Sequence, residues 1–232
     1  MTDDHKLLEH LARFDTPTIC NALELATGSR RAAGFTREQM VAGVPGARPM
    51  VGFARTATLR ASAPSILTPE QQREIRLAYY EYVASNGVPT IAVIQDLDQP
   101  GGIGAFWGEV NSKVHAAIGV RGVITDGAVR DLADLSPSLP ILGGKVTPSH
   151  AFVRIESIGE HVSIFGMDVA HDDLIHADRH GAVVIPAGVA PGLPAAIDLL
   201  VRRERLIIDA AARPGFDVSD LRRILAEADD IH

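Results

Sequence analysis

The stretch from Gln99 to Asp134, QPGGIGAFWGEVNSKVHAAIGVRGVITDGAVRDLAD, limits the possible folds more than any other part of the chain. The run IAVIQDL before it is short, apolar and partly β-branched, and Gln99-Pro100-Gly101-Gly102 stops it, which reads as a buried strand. From Glu109 onward, Val110, Val114, Ala117 and Ile118 recur at helical spacing, so the amides of Gly108 to Asn111 lie at a helix N-terminus without intrahelical partners. A second short strand, GVITDG, follows Gly119 and leads to Arg130-Asp131. Strand, loop, helix and strand in this order predict a right-handed crossover between parallel strands, which brings the loop and the charged turn to one carboxyl edge. Gly101, Gly102, Gly104 and Gly108 are expected to let a ligand approach the backbone, and the helix end favours an anion.

An arginine and an adjacent aspartate facing such a loop suit a small 2-oxo acid held together with a divalent metal. The guanidinium fork of Arg130 matches carboxylate or enolate oxygens. Asp131 offers one hard oxygen ligand, and Mg²⁺ commonly takes one or two protein carboxylates and keeps several waters. A metal so held acts as a Lewis acid on the enolate formed when the bond next to the carbonyl breaks. Trp107, the only tryptophan, precedes the loop and is expected to sense what enters it. GGIGAFWG does not suit a dinucleotide, because its third glycine is misplaced and Trp107 would crowd a pyrophosphate.

Glu109, the intervening residues 110–129, Arg130-Asp131 and then Asp134 resemble the signature of the 4-hydroxy-4-methyl-2-oxoglutarate aldolase family, which also contains RraA-like regulators of RNase E. DTPTICNALE, WGEV, GVITDGAVRDL and LIHADRHGAVVIP are similar to family segments in family order, from about Phe14 to Pro186. The resemblance implies a metal-dependent pyruvate aldolase that also decarboxylates oxaloacetate, assembled as a homotrimer or homohexamer. By position, Asp131 would bind Mg²⁺ or Mn²⁺ and Arg130 the substrate. Gly108, Glu109, Val110 and Asn111 would bind the pyruvoyl group through backbone amides, with Glu109 positioning a water for proton transfer. Glu109 stands where many relatives carry aspartate. The implied fold is a single-domain α/β/β/α layered sandwich resembling the swivelling phosphohistidine-type fold, with short helices over 5–27, a core over 51–190 and helices over 187–232. The rival reading is a non-catalytic protein-binding regulator resembling the RNase E inhibitors, and the presence of Glu109, Arg130 and Asp131 favours the enzyme.

A net charge of −7 argues against sequence-independent nucleic-acid binding. The charged N-terminus and the absence of a long apolar run predict a cytoplasmic protein without a membrane span. One cysteine, Cys20, excludes an intrachain disulfide and a cysteine-clustered metal site.

Elsewhere, His5 to Phe14 reads as a short helix, and Thr16 and Pro17 as the N-cap and first residue of a second, which Gly28 closes. Residues 29–50 form a long connection suited to a functional role or a subunit contact. VGFARTATLRAS and LPILGG read as strands, and 69–86 as a helix capped by Thr68. Lys145 is the only lysine placed for a Schiff base, and a surface role is the simpler reading. His171, Asp172, Asp173, His176, Asp178 and His180 invite a second metal site, but residues that alternate across strands and turns converge poorly. Helices are predicted over 187–212 and 216–232. On the first of these, Glu204 could reach a neighbouring subunit's site or simply be solvated.

Overall fold

IAVIQD forms a strand buried on both faces, and the rest of the architecture is layered around it. The protein is seen in a computed structural model that describes residues 3–84 and 86–231. Ser85 and His232, within the predicted ends of two helices, lie outside the described residues. In chain order the helices are α1 (Asp3–Leu11), α2 (Thr16–Thr27), α3 (Pro69–Val83), α4 (Glu109–Ala117), α5 (Leu193–Ala211) and α6 (Val218–Asp229). The strands are β1 (Val41–Ala42), β2 (Met50–Arg60), β3 (Thr90–Asp96), β4 (Ala105–Trp107), β5 (Val120–Thr125), β6 (Ala128–Val129) and β7 (Ile141–Gly143). They continue as β8 (Lys145–Val146), β9 (Arg154–Ile158), β10 (Val162–Ile164), β11 (Met167–Val169), β12 (Leu174–Asp178) and β13 (Gly181–Ile185).

The main sheet runs β1-β7-β5-β3-β2-β12-β13, with β9 also pairing to β2. Its centre, β2, β3, β5 and β7, is parallel, and β12, β13, β9 and β1 join antiparallel. Side chains of β3 alternate between two cores: Ala92 and Ile94 pack under Tyr79 and Val83 of α3, and Ile91 and Val93 pack under the β10–β11 hairpin. This two-sided burial explains a continuous apolar run instead of an alternating one. A third core joins α1, α2 and α5 to the β12–β13 end of the sheet.

The predicted crossover is present, since β3 pairs directly with β5 in parallel. A second sheet, β4-β6-β8, was not foreseen, because strands of two or three residues leave no periodic signal. α1 ends at Leu11, short of the predicted Phe14. The carbonyls of Leu11 and Phe14 both face the buried Nε2 of His176, at 3.3 and 3.1 Å, so the chain must turn there.

The α2 cap is Asp15, whose carboxylate accepts from the Thr18 amide at 2.9 Å, and Thr16 is the first helical residue. Thr16 is buried instead: its hydroxyl lies 3.1 Å from His176 Nδ1 and its amide donates to Asp178 at 3.2 Å. Asp-Thr-Pro offers two capping residues, and the tertiary contact with His176 decides between them. α3 begins as predicted, with Thr68 and Gln71 in a reciprocal capping box, and ends at Val83. Residues 29–50 contribute β1, the first residue of β2 and a bridge from Phe35 to Val183. No helix among the described residues is long and apolar enough to cross a membrane.

Candidate active site at the amino end of helix α4

Two backbone links hold the site together. β4 and β6 pair in parallel, and the Arg130 amide donates to the Trp107 carbonyl at 2.8 Å, which seats the Arg130-Asp131 turn directly below the start of α4. The Ser112 hydroxyl donates to the Glu109 carbonyl at 2.8 Å and accepts from the Ser136 amide at 2.9 Å, tying the helix to the far side of the same turn. The Asp134 amide closes the turn on the Asp131 carbonyl at 2.9 Å.

Gly108 is the N-cap of α4 and offers no capping side chain. A Cβ at Gly108 would lie 2.6 Å from Asp131 Oδ2 and 3.1 Å from Arg130 Nε, so only glycine permits this approach. The Glu109 amide donates to Asp131 Oδ2 at 3.2 Å, while the amides of Val110 and Asn111 have no helical acceptor. Asp131 adopts φ 52°, the left-handed region, a strained conformation that such a turn must maintain. Its Oδ2 sits 3.6 Å from Arg130 Nε, and the two side chains are 36% and 34% exposed. Among the described residues no side-chain hydrogen bond engages the guanidinium, which is partly exposed.

The structure thus brings together Gly108, Glu109, Arg130 and Asp131. The Glu109 carboxylate, however, turns along the helix to Lys113 in an exposed i,i+4 ion pair. Val110 is 72% exposed. Asn111 points inward: its Nδ2 donates to the Phe106 carbonyl at 2.5 Å and its Oδ1 accepts from Tyr80 at 2.7 Å. This brace was not legible in the sequence, because Tyr80 and Asn111 lie on different helices. Trp107 does not face the loop. Its indole is fully buried in the core, 4.5 Å from the His115 ring, so it reports packing beneath the site. Gly102 and Gly104 face the chain itself, since a Cβ would strike Lys145 Cε at 2.1 Å and the His150 carbonyl at 2.3 Å respectively. Lys145 is exposed and packs across Gly102.

Among the described residues, no three His, Cys, Asp or Glu side chains converge as a metal cluster. The histidines and acids of 171–180 hold the fold: His176 binds Thr16, Asp178 binds the Thr16 amide and His180, and His171 bridges Tyr82 and Asp172. Asp131 could hold a metal through Oδ1, which has no hydrogen bond among the described residues, while its Oδ2 lies beside Arg130 and the Glu109 amide. A single carboxylate fits Mg²⁺ or Mn²⁺, which complete their shells with water and substrate oxygens. Glu204 is exposed on α5, which packs against α2 and α6.

The RraA-like (Aldolase/RraA) family model matches residues 16–184. An uncharacterized protein of Methanocaldococcus jannaschii is 30% identical over 119 residues, which is 50% of this chain and 57% of that one, so the chain spans little more than half that relative's length. An uncharacterized protein of Pseudomonas syringae pv. tomato superposes with TM-score 0.70 at 21% identity, covering 94% of this chain and 93% of the other. RraAS2 of Streptomyces coelicolor, described as an unusual member of the RNase ES inhibitor RraA family, superposes with TM-score 0.66 at 22% identity, covering 92% and 99%. Likenesses at these identities establish the fold.

Buried titratable groups flank the site and generate a pH prediction. His115 donates from Nδ1 to the Asn111 carbonyl and faces the Tyr79 hydroxyl at 2.8 Å through Nε2, and burial pushes it down to about 4. Below pH about 6.5 the unfolded chain binds a proton that the folded ring accepts only near 4, so stability falls with pH across that window by about 3 kcal/mol. His176, also lowered by burial, acts in the same direction. Asp126 accepts from the Asp96 amide at 2.7 Å, and burial pushes its carboxyl up to about 6. Its contribution is complete below pH about 3.9 and lost as pH rises to 6, a slope opposite to that of His115. Asp126→Asn removes this offset. Denaturant unfolding at pH 7 and 4.5 should show the variant losing about 2 kcal/mol more than the wild type on acidification; parallel losses would mean that Asp126 does not titrate in this range.

Proposed function

The chain belongs to the RraA-like family, and we propose that within it this protein is a divalent-metal lyase that cleaves a 4-hydroxy-2-oxo acid to pyruvate and decarboxylates oxaloacetate. The observation that carries this reading is the approach of Asp131 to Gly108. It joins a carboxylate oxygen, a guanidinium that touches the carboxylate only through Nε, and the first amides of a helix on one partly exposed surface. A regulator that only docks on a protein has no use for this arrangement. The RNase inhibitor named among the structural neighbours is 22% identical and speaks for the fold alone.

The amides of Val110 and Asn111 would hold the substrate carboxylate at the positive end of α4, since the Glu109 amide is already given to Asp131. Asp131 would hold Mg²⁺ or Mn²⁺, which when bound supplies Lewis-acid stabilisation of the enolate. Cleavage breaks the C3–C4 bond. The C4 hydroxyl loses its proton as the carbonyl product forms, and the bonding electrons pass toward the C2 oxygen. Arg130 would face that oxygen with a fork whose charge and planarity match the developing enolate. Glu109 would take the hydroxyl proton through a water and return one to C3, giving pyruvate. Its exposed pair with Lys113 is weak enough to release the carboxylate.

Pyruvate release should vanish with a chelator and return with Mg²⁺ or Mn²⁺, and borohydride with pyruvate should trap no adduct at Lys145. Arg130→Lys should lose on the order of 10²-fold in turnover, because one ammonium cannot replace the bidentate fork. Near-normal turnover in that variant, or a borohydride-trapped Lys145, would remove this mechanism.

We also propose assembly as a homotrimer or homohexamer. Residues 29–50 carry little secondary structure of their own, as a segment completed by a neighbouring subunit would. Light scattering at micromolar concentration should give a mass near three or six chains, and a monomeric mass would contradict it.

A further inference from the structure

The candidate active site lies beyond the carboxyl ends of β3 and β5, and the amino ends of the parallel strands carry a second concave surface. Two cavities of about 380 and 450 Å³ adjoin there, close to Met50 at the start of β2, Pro89 before β3, Arg121 at the start of β5 and Pro140 before β7. Arg13 and Arg48 line both cavities and so stand between them, while Arg179 lines the smaller and Arg121 the larger. Among the described residues none of these four exposed guanidiniums has a carboxylate partner or a hydrogen bond. Of the carboxylates on the same walls, Asp15 is engaged by the Thr18 amide at 2.9 Å, and Asp178 by the Thr16 amide at 3.2 Å and the His180 ring at 3.0 Å, which leaves only Glu9. His5, on the wall of the larger cavity, has a buried Nδ1 with no hydrogen-bond partner, which native structures seldom tolerate.

We propose that these adjoining cavities bind a small polyanion with phosphates in series, a triphosphate chain either free or carried by a nucleotide. The site shares no residue with the Arg130-Asp131 turn and does not depend on the lyase reading. Like charges gathered on adjoining walls repel one another, and a bound anion removes that repulsion. Each guanidinium offers a planar fork that suits phosphate oxygens. Cations placed at both ends and on the shared wall match charges strung along a chain better than one compact anion. An oxygen of the same ligand would satisfy His5 Nδ1. A nucleic-acid strand fits less well, because the chain carries a net charge of −7 and would repel the phosphates that extend beyond the cavities.

Titration calorimetry of the full-length protein with tripolyphosphate, ATP and inorganic phosphate, at physiological ionic strength and without divalent metal, tests the proposal. Tripolyphosphate or ATP should bind saturably and much more tightly than inorganic phosphate. Tighter ATP would assign the site to a nucleotide and tighter tripolyphosphate to the bare chain, and each supports the proposal. Arg48→Gln and Arg121→Gln should each weaken binding about tenfold, and Glu9→Gln should strengthen it. Arg130→Gln, and Arg73→Gln on α3, which lines neither cavity, should leave the affinity unchanged. All of these side chains are exposed or partly exposed, so the variants should fold. No saturable binding, equal affinity for inorganic phosphate, or equal weakening by Arg73→Gln would overturn the proposal. Tighter binding of a single-stranded RNA than of either triphosphate would overturn it in favour of a nucleic-acid surface. A fall in mass by light scattering in Arg48→Gln or Arg121→Gln would assign the arginines to a second copy of the chain and overturn it as well.

Discussion

The hydrogen bond from the Arg130 amide to the Trp107 carbonyl is the constraint on which the site depends. It registers β6 against β4, and so fixes the height of the charged turn relative to the first turn of α4. From that height follow the contact between Gly108 and Asp131, the bond from the Glu109 amide to the carboxylate, and the outward aim of Arg130. The parallel pairing of β3 and β5 supplies the frame, because a crossover returns both ends to one edge of the sheet. Neither Arg130 nor Asp131 then needs a long loop to reach the start of α4.

The support beneath this edge is polar and buried. The Asp96 carboxylate accepts from the amides of Asp98 and Gly102 at 3.0 and 2.5 Å, which pins the glycine loop to the end of β3. Asn111 bridges the Phe106 carbonyl and Tyr80, which ties α3, β4 and α4 together. A buried network whose members all find partners fixes geometry at the cost of tolerance to change. The proposed seat for a substrate carboxylate would depend on that support, since backbone amides cannot rotate to follow a ligand.

β3, α4 and β5 were legible in the sequence because each combines a clear period with glycine or proline punctuation. Gly108, Glu109, Arg130 and Asp131 were legible because spacing across a crossover predicts proximity. The three-strand sheet was not, because it is defined by backbone pairing between segments too short to carry a pattern. Thr16 was misassigned as a cap because its partner, His176, lies far along the chain. Trp107 was misdirected for a similar reason. In a strand, alternate side chains take opposite faces, and residue order alone does not say which face meets the loop. Gly102 and Gly104 were read as making room for a ligand, whereas they make room for Lys145 and the His150 carbonyl.

The central claim is that Asp131 and the adjoining turn hold a divalent metal together with a planar 2-oxo acid. Electron paramagnetic resonance of Mn²⁺ bound to the protein, with oxalate as a mimic of the pyruvate enolate, tests it directly. Oxalate enriched in ¹⁷O should broaden the Mn²⁺ lines of the wild-type protein through direct coordination, and Asp131→Ala should leave the Mn²⁺ signal that of the free ion. Bound Mn²⁺ persisting in Asp131→Ala, or wild-type lines indifferent to the isotope, would contradict the account.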